Sequence, residues 1–368
     1  MNMPPKPGRA IRRILVPGVT AVALGLALTA CGASNESGSS KNGDALDGAG
    51  SSAQESAMDA WRSAFQKDNP DVTVNYDPSG SGAGIEKFNA GGIDFAATDS
   101  ALNADKGEID AAKKRCGADA IEVPNYVSPI AVVYNVQGVK DLQLSAKTIG
   151  QIFDGKITTW NDKAIAAENA GAKLPSTAIS PVHRSDESGT TENFTDYLEQ
   201  AGEGGWSHPS DKVWPIQSGE GANGTSGMIA AVGQGDGSIG YADFSQAGDL
   251  ASVKIKVGSE YVAPSADGAA TALEASPPED GRPESDLALE VDRTSTESGA
   301  YPLLLASYLV ACPTYDDAKT ADNVKAFLSY IVSTEGQQAG ADNAGSAPIP
   351  ASLQEKVAKI VDTISSKG

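Results

Sequence analysis

The chain has 368 residues, of which 40% are hydrophobic and 21% charged, as in a soluble protein of one large or two medium domains. Its formal net charge is −20, and because residues 1–30 carry four basic and no acidic residues, the chain without them carries −24. This charge argues against nucleic acid or an anionic membrane surface as a partner. Two histidines and three scattered cysteines form no metal-binding pattern, so we expect no metal and no cofactor.

Residues 1–30 have the pattern of a secretion signal. Four basic residues between positions 6 and 13 are followed by an apolar run over residues 14–28. That run is too short to span a bilayer securely. The order of charge and apolar run therefore predicts a signal peptide that is removed from the mature protein.

The residues that follow resemble a bacterial lipobox. Leu28-Thr29-Ala30-Cys31 implies cleavage before Cys31 and a lipid on its sulfur, and the alternative is an ordinary signal peptide with a chance cysteine. Residues 31–47 are mainly glycine and polar residues and predict a flexible tether. We therefore expect an exported protein held by lipid at the outer face of the cell membrane, with order beginning near residue 48.

The first folded elements are predicted to alternate between helix and strand. Apolar side chains at helical spacing predict a helix over residues 55–67, and alternating apolar residues predict a strand over 72–76. Gly80-Ser81-Gly82-Ala83-Gly84 then precedes a short helix, an arrangement in which backbone N–H groups can face an anion. A tight turn between strand and helix is the alternative interpretation.

Asp99 follows a short apolar segment, residues 91–97, that predicts a buried strand. Because ligands bind beyond strand ends in open α/β sheets, Asp99 is a candidate binding residue, although it could also cap the next turn. Further strands are predicted at residues 121–124, 130–135, 237–241 and 303–310, with helices between them and two helices near the C-terminus, over 321–333 and 352–364. Strands alternating with helices predict an α/β fold.

The segment from Val182 to Thr191, with sequence VHRSDESGTT, contains the most concentrated group of polar residues. An apolar strand pattern leads into it and a helix pattern follows, so Ser188-Gly189-Thr190 lies at a predicted helix start. Free N–H groups and the helix dipole at such a start, together with Arg184, suit a small tetrahedral oxyanion. The alternative is that the serine or threonine only caps the helix and Arg184 forms a surface salt bridge.

Two cysteines remain besides Cys31. Cys116 and Cys312 in an exported protein predict one disulfide, and two buried thiols are the alternative.

Five segments together resemble the phosphate-binding lipoproteins of bacterial high-affinity ABC phosphate importers (PstS-type). They are VTVNY with GSG at residues 72–82, IDFAATD at 93–99, GKITTWND at 155–162, the 182–190 segment, and GSIGY at 237–241. The resemblance extends from about residue 48 to the C-terminus in one order. Such a run of motifs is far more specific than any one of them.

The resemblance implies a two-lobed periplasmic-binding-protein clamp of type II, with two mixed sheets flanked by helices and joined by two hinge crossings. Lobe one is expected to comprise residues 48–135 and 302–368, and lobe two residues 136–301, with Cys116 and Cys312 on neighbouring strands of lobe one. The expected protein is a monomer that binds inorganic phosphate between the lobes and passes it to the permease subunits of an ABC transporter.

The resemblance also assigns a phosphate shell. Its members are Ser52, Ala53, Ser81, Asp99, Arg184, Ser188, Gly189 and Thr190. This sequence departs from the family pattern at Ser52-Ala53, where many relatives have Thr-Phe, and at Glu187, where glycine is common. We expect the Glu187 side chain to point to solvent and Asp186 to orient the guanidinium of Arg184.

Phosphate near neutral pH offers acceptor oxygens and at least one O–H group. Serine and threonine hydroxyls, backbone N–H groups and Arg184 would serve the acceptors, while an ionised Asp99 can only accept and therefore requires a ligand O–H. Sulfate has no such proton, and a site built for one can reject its absence by a factor of about 10⁴. Arsenate has the same protonation pattern and is not excluded.

Two other classes compete with a phosphate carrier. A binder of another oxyanion on the same clamp is one. A secreted serine hydrolase with Ser188 as nucleophile is the other, but G-x-S-x-G is absent from the sequence and His183, on a strand next to Arg184, is expected to point to the opposite face. We therefore expect no enzyme activity.

Overall fold

The computed structural model describes residues 45–368; the predicted signal, Cys31 and the predicted tether up to residue 44 lie outside them. The strands are β1 (Ala45–Gly50), β2 (Thr73–Asp77), β3 (Phe95–Thr98), β4 (Ile121–Asn135), β5 (Gln143–Leu144), β6 (Ser180–Arg184), β7 (Glu220–Ala222), β8 (Ser238–Asp243), β9 (Ala251–Ser252), β10 (Lys254–Val257), β11 (Glu260–Val262), β12 (Leu304–Ala311), β13 (Thr314–Tyr315) and β14 (Ser365–Ser366). The helices are α1 (Glu55–Asp68), α2 (Ser81–Asn89), α3 (Glu108–Cys116), α4 (Ala146–Phe153), α5 (Lys163–Glu168), α6 (Gly189–Ala201), α7 (Gly224–Gln234), α8 (Ala266–Glu274), α9 (Ala318–Val332), α10 (Thr334–Ala344) and α11 (Ala351–Val361), with a 3-10 turn at Phe244–Gln246.

One curled mixed sheet runs through the described part of the chain, in the order β2-β1-β3-β12-β4-β8-β6-β7, with β9 also paired to β4. The strands β1, β2 and β3 are parallel, β12 is antiparallel to β3 and β4, and β8 is antiparallel to β4 and parallel to β6. Helices flank the sheet. The predicted mixed α/β architecture of a two-lobed clamp is confirmed, and the two sheets that were expected are joined through β4 into one.

The long strand β4 connects the two halves of the sheet, where the sequence predicted two separate short strands. Residues 121–129 pair with β12, and residues 130–135 pair with β8. Proline cannot donate to a ladder and is confined in sheets to edges and irregularities. Pro124 lies at a bulge and Pro129 immediately precedes the change of partner, so neither proline breaks a regular ladder.

The first strand corrects the predicted tether. Residues 45–47 belong to β1, with Leu46 fully buried and paired with Val74. Gly48, where order was expected to begin, allows close packing in this strand, because a Cβ there would lie 2.2 Å from the Phe95 ring. A buried central strand needs small residues where neighbouring side chains cross it.

Two helices also differ from the sequence prediction. The glycines of residues 80–84 do not form a loop before α2, because α2 itself begins at Ser81, with Gly80 at a φ of 101° that favours glycine. Gly84 allows α2 to approach β1, since a Cβ there would lie 2.5 Å from the Cα of Gly50. Helix α10 was not predicted between the two C-terminal helices.

Cys116 and Cys312 form a disulfide with a Cα–Cα distance of 5.2 Å. Cys116 ends α3 and Cys312 directly follows β12, so the bond joins a helix to the sheet rather than two neighbouring strands. Within residues 45–368 we find no helix that combines the length and apolar character needed to cross a membrane.

Candidate anion-binding site

The N-terminus of α6 lies at the centre of the site. Ser188 is the N-cap, and its hydroxyl accepts a hydrogen bond from the N–H of Thr191 over 3.3 Å. The first N–H groups of a helix have no acceptor within it, and the dipole adds partial positive charge there. Ser188 is thus a cap, as one interpretation of the sequence held, at a helix start whose first residues, Gly189 and Thr190, are buried.

Tyr241 on β8 fixes the position of this helix start. Its hydroxyl bonds the Thr191 hydroxyl over 2.8 Å and accepts the N–H of Arg184 over 3.2 Å. The Phe194 ring, on the buried face of α6, stacks on Tyr241 with centroids 4.2 Å apart. Burial raises the pKa of Tyr241 to about 12, so the phenol stays protonated near neutral pH.

Arg184 ends β6 and is only 3% exposed, which excludes a surface salt bridge. Its Nε donates to Oδ1 of Asp186 over 2.7 Å and its Nη2 donates to Oδ2 over 2.5 Å. This bidentate pair fixes the guanidinium plane. Asp186 also accepts the N–H of Gly224 over 3.0 Å. Burial raises the pKa of Asp186, but the bonds and charge of Arg184 outweigh that effect and hold the pKa below its usual value.

Ser52 joins this cluster from the loop after β1. Its hydroxyl accepts a hydrogen bond from Nη2 of Arg184 over 3.0 Å and lies 3.0 Å from the hydroxyl of Thr225, at the start of α7. Ala53 is fully buried, but its N–H donates to the Ser51 hydroxyl over 3.0 Å. Thr225, which the sequence analysis did not assign, therefore lies in the cluster beside Ser52.

Ser81 and Asp99 approach the start of α6 from the other half of the sheet. The N–H of Asp99 donates to the Ser81 hydroxyl over 3.1 Å. A Cβ on Gly189 would lie 2.8 Å from Ser81 Oγ and 2.9 Å from the Asp99 Cβ. Glycine at position 189 thus permits the close approach of residues that lie about a hundred positions apart in the chain.

The Asp99 carboxylate is 2% exposed and bonded at both oxygens. Oδ1 accepts from Ser307 over 2.9 Å and from Gln54 over 3.4 Å, while Oδ2 accepts from Thr190 over 3.1 Å. Burial raises the pKa of Asp99, and hydrogen bonds from hydroxyls together with the charge of Arg184 lower it; burial dominates and the pKa lies above its usual value.

A buried lysine borders the site. Lys212, 2% exposed, places Nζ 3.0 Å from both carboxylate oxygens of Glu108 and 3.4 Å from Glu192, in the first turn of α6. Its carbonyl accepts the N–H of Ser188 over 2.9 Å. Burial lowers the pKa of Lys212, but the two carboxylates outweigh burial and raise it, so the ammonium is charged.

The polar cluster is distinct from an adjoining crevice of about 490 Å³. That crevice is lined by Asp99, Asn193, Arg293 and Tyr308, among others, and it includes Asp99 alone of the predicted shell. We therefore locate the candidate site by the convergence of buried donors rather than by cavity size.

Both histidines lie within the described residues, and each contacts residues other than Ser188, the nucleophile that a hydrolase would require. The His183 ring stacks on Trp214 with centroids 5.0 Å apart, and its Nδ1 lies 2.8 Å from the Arg184 carbonyl. Nε2 of His208 lies 2.8 Å from Asp154. Residues 45–368 also contain no group of three or more His, Cys, Asp and Glu side chains placed to hold a metal ion.

All eight predicted shell residues are buried. A hydrogen bond joins Ser52 to Arg184, and close contacts join Ser81, Asp99, Gly189 and Thr190 to one another. The assembly offers hydroxyls, a charged guanidinium and a helix N-terminus to acceptor oxygens, and one carboxylate as an acceptor. Glu187 is exposed, as predicted. The cluster can therefore hold a small oxyanion that carries a proton.

Sequence reasoning missed Gln54, Ser307 and Thr225. Ser307 is a polar residue within an otherwise apolar strand, which was a usable signal for a buried contact. Gly224-Thr225 repeats the Gly-Thr pair of the α6 start at the beginning of another helix. Gln54 has no local pattern that distinguishes it.

Comparison with known proteins places the chain in a family. The model of the PBP superfamily domain matches residues 35–335. The phosphate-binding protein PstS2 of Mycobacterium bovis (strain BCG / Pasteur 1173P2) is 38% identical over 358 residues, which cover 92% of this chain and 95% of that protein. Phosphate-binding protein PstS 3 of Mycobacterium leprae (strain TN) is 37% identical over 363 residues, covering 93% and 96%.

Solved structures show the same fold at lower identity. A high affinity periplasmic phosphate-binding protein (PfluDING) bound with phosphate matches with a TM-score of 0.72 at 21% identity, over 85% of this chain and 92% of that one. A phosphate-binding protein from Stenotrophomonas maltophilia matches with a TM-score of 0.66 at 21% identity, over 86% and 93%. The chain belongs to the PBP superfamily and, within it, to the family of the PstS phosphate-binding proteins.

Proposed function

We propose that this protein binds inorganic phosphate between its two lobes and delivers it to the permease of an ABC transporter. One observation carries the proposal: the buried carboxylate of Asp99 accepts from Thr190 at the N-terminus of α6, and the charge of the buried Arg184 acts on it to lower its pKa. The donors fit acceptor oxygens, and the carboxylate fits a ligand O–H. The relatives named as phosphate-binding proteins support the same ligand.

The lobes of this clamp meet at the shell. We place the first crossing where β4 changes its partner, between residues 129 and 130, and the second just before β12 begins at residue 304. The first lies some residues ahead of the crossing expected near Asn135. Lobe one then supplies Ser52, Ser81 and Asp99, and lobe two supplies the β6–α6 segment.

The shell residues are proposed to act as the family resemblance assigns them. Ser52, Ser81, Ser188 and Thr190 provide hydroxyls, and the start of α6, at Gly189 and Thr190, provides N–H groups. Arg184 neutralises charge in the orientation that Asp186 imposes. Because the Ala53 N–H already has an acceptor in Ser51, Ala53 contributes to phosphate only if that bond exchanges.

Export and lipid attachment at Cys31 complete the proposal, with residues 32–44 as the tether and a monomeric domain that reaches the permease. The membrane is then contacted through the lipid alone. A domain with the proposed function has no catalytic step, and the partners of His183 and His208 favour a carrier over a hydrolase with Ser188 as nucleophile.

The test is calorimetric titration of the mature domain, stripped of ligand, with phosphate, sulfate and arsenate. We expect tight phosphate binding, no sulfate heat at the same concentration, and no turnover of phosphate esters. Ester cleavage without phosphate binding would refute the proposal. Sulfate binding as tight as phosphate would leave an oxyanion carrier but refute the role of Asp99.

A further inference from the structure

The carboxylate of Asp99 is held asymmetrically. Oδ2 faces Thr190 on α6, a member of the predicted shell, whereas Oδ1 faces the hinge strand β12 and the start of α1. The hydroxyl of Ser307 donates to Oδ1 over 2.9 Å, and both residues are almost fully buried. Oδ2 is therefore the oxygen turned toward the ligand, and Oδ1 is turned away from it.

A bulge in the hinge strands builds the second support of Oδ1. The pairing of β4 with β12 shifts register so that Ser307 faces Tyr126 while Tyr308 faces Pro124, which leaves Asn125 as the extra residue. Bulges turn side chains that a regular ladder would aim elsewhere. Here Nδ2 of Asn125 donates to Oε1 of Gln54 over 2.9 Å.

That bond fixes the direction of the Gln54 amide. With Oε1 occupied by Asn125, Nε2 of Gln54 faces the other way, toward Oδ1 of Asp99 and the carbonyl of Thr98, both at 3.4 Å. Gln54 and Asn125 are fully buried. Two neutral donors, one from each of two elements behind the site, thus converge on one carboxylate oxygen.

We propose that Ser307, with Gln54 beside it, is a specificity-determining positioning residue: it keeps Asp99 an acceptor, with Oδ2 toward the ligand, and so maintains the choice of phosphate over sulfate. The inference rests on the proposed function. An ionised Asp99 repels sulfate, whereas a protonated Asp99 donates to it, so any change that neutralises the carboxyl group admits sulfate.

Ser307 opposes the effect of burial on the pKa of Asp99. Burial raises the pKa of Asp99, and the hydroxyls of Ser51, Ser307 and Thr190 lower it. The charged or titratable neighbours that the described residues bring to Asp99 are Arg184, whose charge also favours ionisation, and Tyr76, whose pKa lies well above its usual value and which stays neutral. Loss of one hydrogen bond to a charged group shifts the protonation equilibrium of that group by about tenfold to hundredfold.

The experiment measures phosphate and sulfate affinity by competition titration from about pH 6 to about pH 8.5, for wild type and Ser307→Ala. Phosphate itself titrates in this range, so variants are compared at the same pH. In Ser307→Ala we expect sulfate to bind more tightly at low pH and the phosphate-to-sulfate ratio to fall about tenfold or more below the wild-type ratio. The ratio should return toward that of wild type as rising pH ionises Asp99.

Two further variants separate this role from a structural one. Ser307→Thr keeps the hydroxyl, so the wild-type ratio should return. Ser128→Ala removes another fully buried hydroxyl, from β4, and should leave the ratio and its pH dependence unchanged. If Ser307→Ala does not fold, Ser307→Cys keeps the volume with a weaker donor and should shift the ratio in the same direction by a smaller factor.

A Ser307→Ala protein that folds, binds phosphate and keeps the wild-type ratio at every pH overturns the inference and leaves the proposed function intact. The same holds if the ratio falls equally at all pH values, because a purely steric effect does not titrate. Wild-type protein that binds no phosphate overturns the proposed function, and the inference with it.

Discussion

Thr190 donates its hydroxyl to Oδ2 of Asp99 over 3.1 Å, although the two residues lie 91 positions apart in the chain. The bond crosses from the helix that presents its N-terminus to the strand end that presents the carboxylate. A carboxylate oxygen has capacity for a second hydrogen bond. Oδ2 can therefore keep Thr190 and accept a ligand proton at the same time.

Asp99→Asn should change ligand preference rather than raise the affinity for all anions. Because Ser307 and Gln54 both donate toward the Oδ1 side, the amide oxygen is favoured there and the amide NH₂ faces the ligand. Sulfate affinity should rise, since a donor replaces a repelling charge, while phosphate can turn an unprotonated oxygen to the amide and changes less. The phosphate-to-sulfate ratio should fall by about 10² or more in competition titrations, each tenfold step being about 1.4 kcal/mol.

Arg184→Ala is the contrasting variant for that prediction. It removes charge and donors that serve both anions, so phosphate and sulfate should both weaken. Because the charge of Arg184 also favours ionisation of Asp99, the ratio is compared at about pH 8.5, where it should stay near that of wild type. An unchanged phosphate-to-sulfate ratio in Asp99→Asn would mean that a different acidic residue accepts the ligand O–H.

Asp186→Asn tests whether orientation of Arg184 matters apart from its charge. The asparagine oxygen still accepts from Nε of Arg184, but the asparagine amino group faces Nη2, and two donors cannot bond each other. The guanidinium therefore loses its fixed plane. Phosphate affinity should fall by about 1–3 kcal/mol, with the phosphate-to-sulfate ratio unchanged, as measured by calorimetry. Asp77→Asn, which breaks an exposed pair with Lys87, is the matched control and should have no effect. Equal affinities for both variants would contradict the role assigned to Asp186.

The parts of the site that could be predicted from sequence are those coded locally. Ser188, Gly189 and Thr190 follow a strand pattern and precede a helix pattern, so their location at a helix N-terminus follows from neighbours in the chain. Asp99 is marked in the same way by a strand that ends just before it. These signals depend on the polypeptide within a few residues of each position.

The remaining parts depend on contacts between distant segments. Asn125, which supports the amide of Gln54, is the extra residue of a bulge that exists only when β4 and β12 pair, and nothing near position 125 encodes that pairing. The start of β1 was missed for a related reason: Leu46 is its one large apolar residue, and the burial of Leu46 depends on a strand that pairs with it at Val74, about thirty residues away. Tertiary context overrides local propensity at both places.

Lys212→Met should weaken phosphate binding by destabilising the closed arrangement of the lobes. In the proposed division Glu108 and Lys212 belong to different lobes, and removing the lysine leaves Glu108 and Glu192 without their cation. We expect faster phosphate release in stopped-flow measurements and a loss of about 1–3 kcal/mol in binding. Glu108→Gln added to Lys212→Met should have less effect than Glu108→Gln alone.

Lys106→Met is the control for that cycle. It removes the Lys106–Asp211 pair, which also joins the two proposed lobes. Because the lysine side chain is 38% exposed, its loss should cost little binding free energy. Strictly additive effects of Lys212→Met and Glu108→Gln would show that the two residues are not coupled.

Loss of the disulfide should lower stability without changing ligand choice. The bond closes a loop with a sequence separation of 196, and neither cysteine belongs to the phosphate shell. Replacing both cysteines by serine should reduce the free energy of unfolding by about 2–5 kcal/mol in urea titrations, with phosphate affinity unchanged. A reductant should reproduce the loss in wild type and have no effect on the double variant; an equal loss in both would point to another cause.

The last prediction concerns Asp243, a fully buried carboxyl group at the end of β8. Oδ1 accepts the N–H of Ser245 over 2.9 Å and Oδ2 accepts the Tyr126 hydroxyl over 3.0 Å. Burial raises the pKa of Asp243 from 3.8 to about 6 in the folded protein, and the hydrogen bonds only partly offset it. Between these two values the folded state binds more protons than the unfolded state, so this group makes stability fall as pH rises.

Asp243→Asn should remove that pH dependence, because the amide keeps the acceptor for Ser245 and carries no charge. Below about pH 4 the carboxyl group is neutral in both states, and wild type and variant should differ little. From there to about pH 6 the variant should gain up to about 3 kcal/mol of unfolding free energy over wild type, and the difference should then stay level. Urea unfolding at several pH values measures the difference, with the exposed Asp249→Asn as control. A difference that grows on acidification, or one that does not vary with pH, would show that Asp243 is not held in its protonated form by burial.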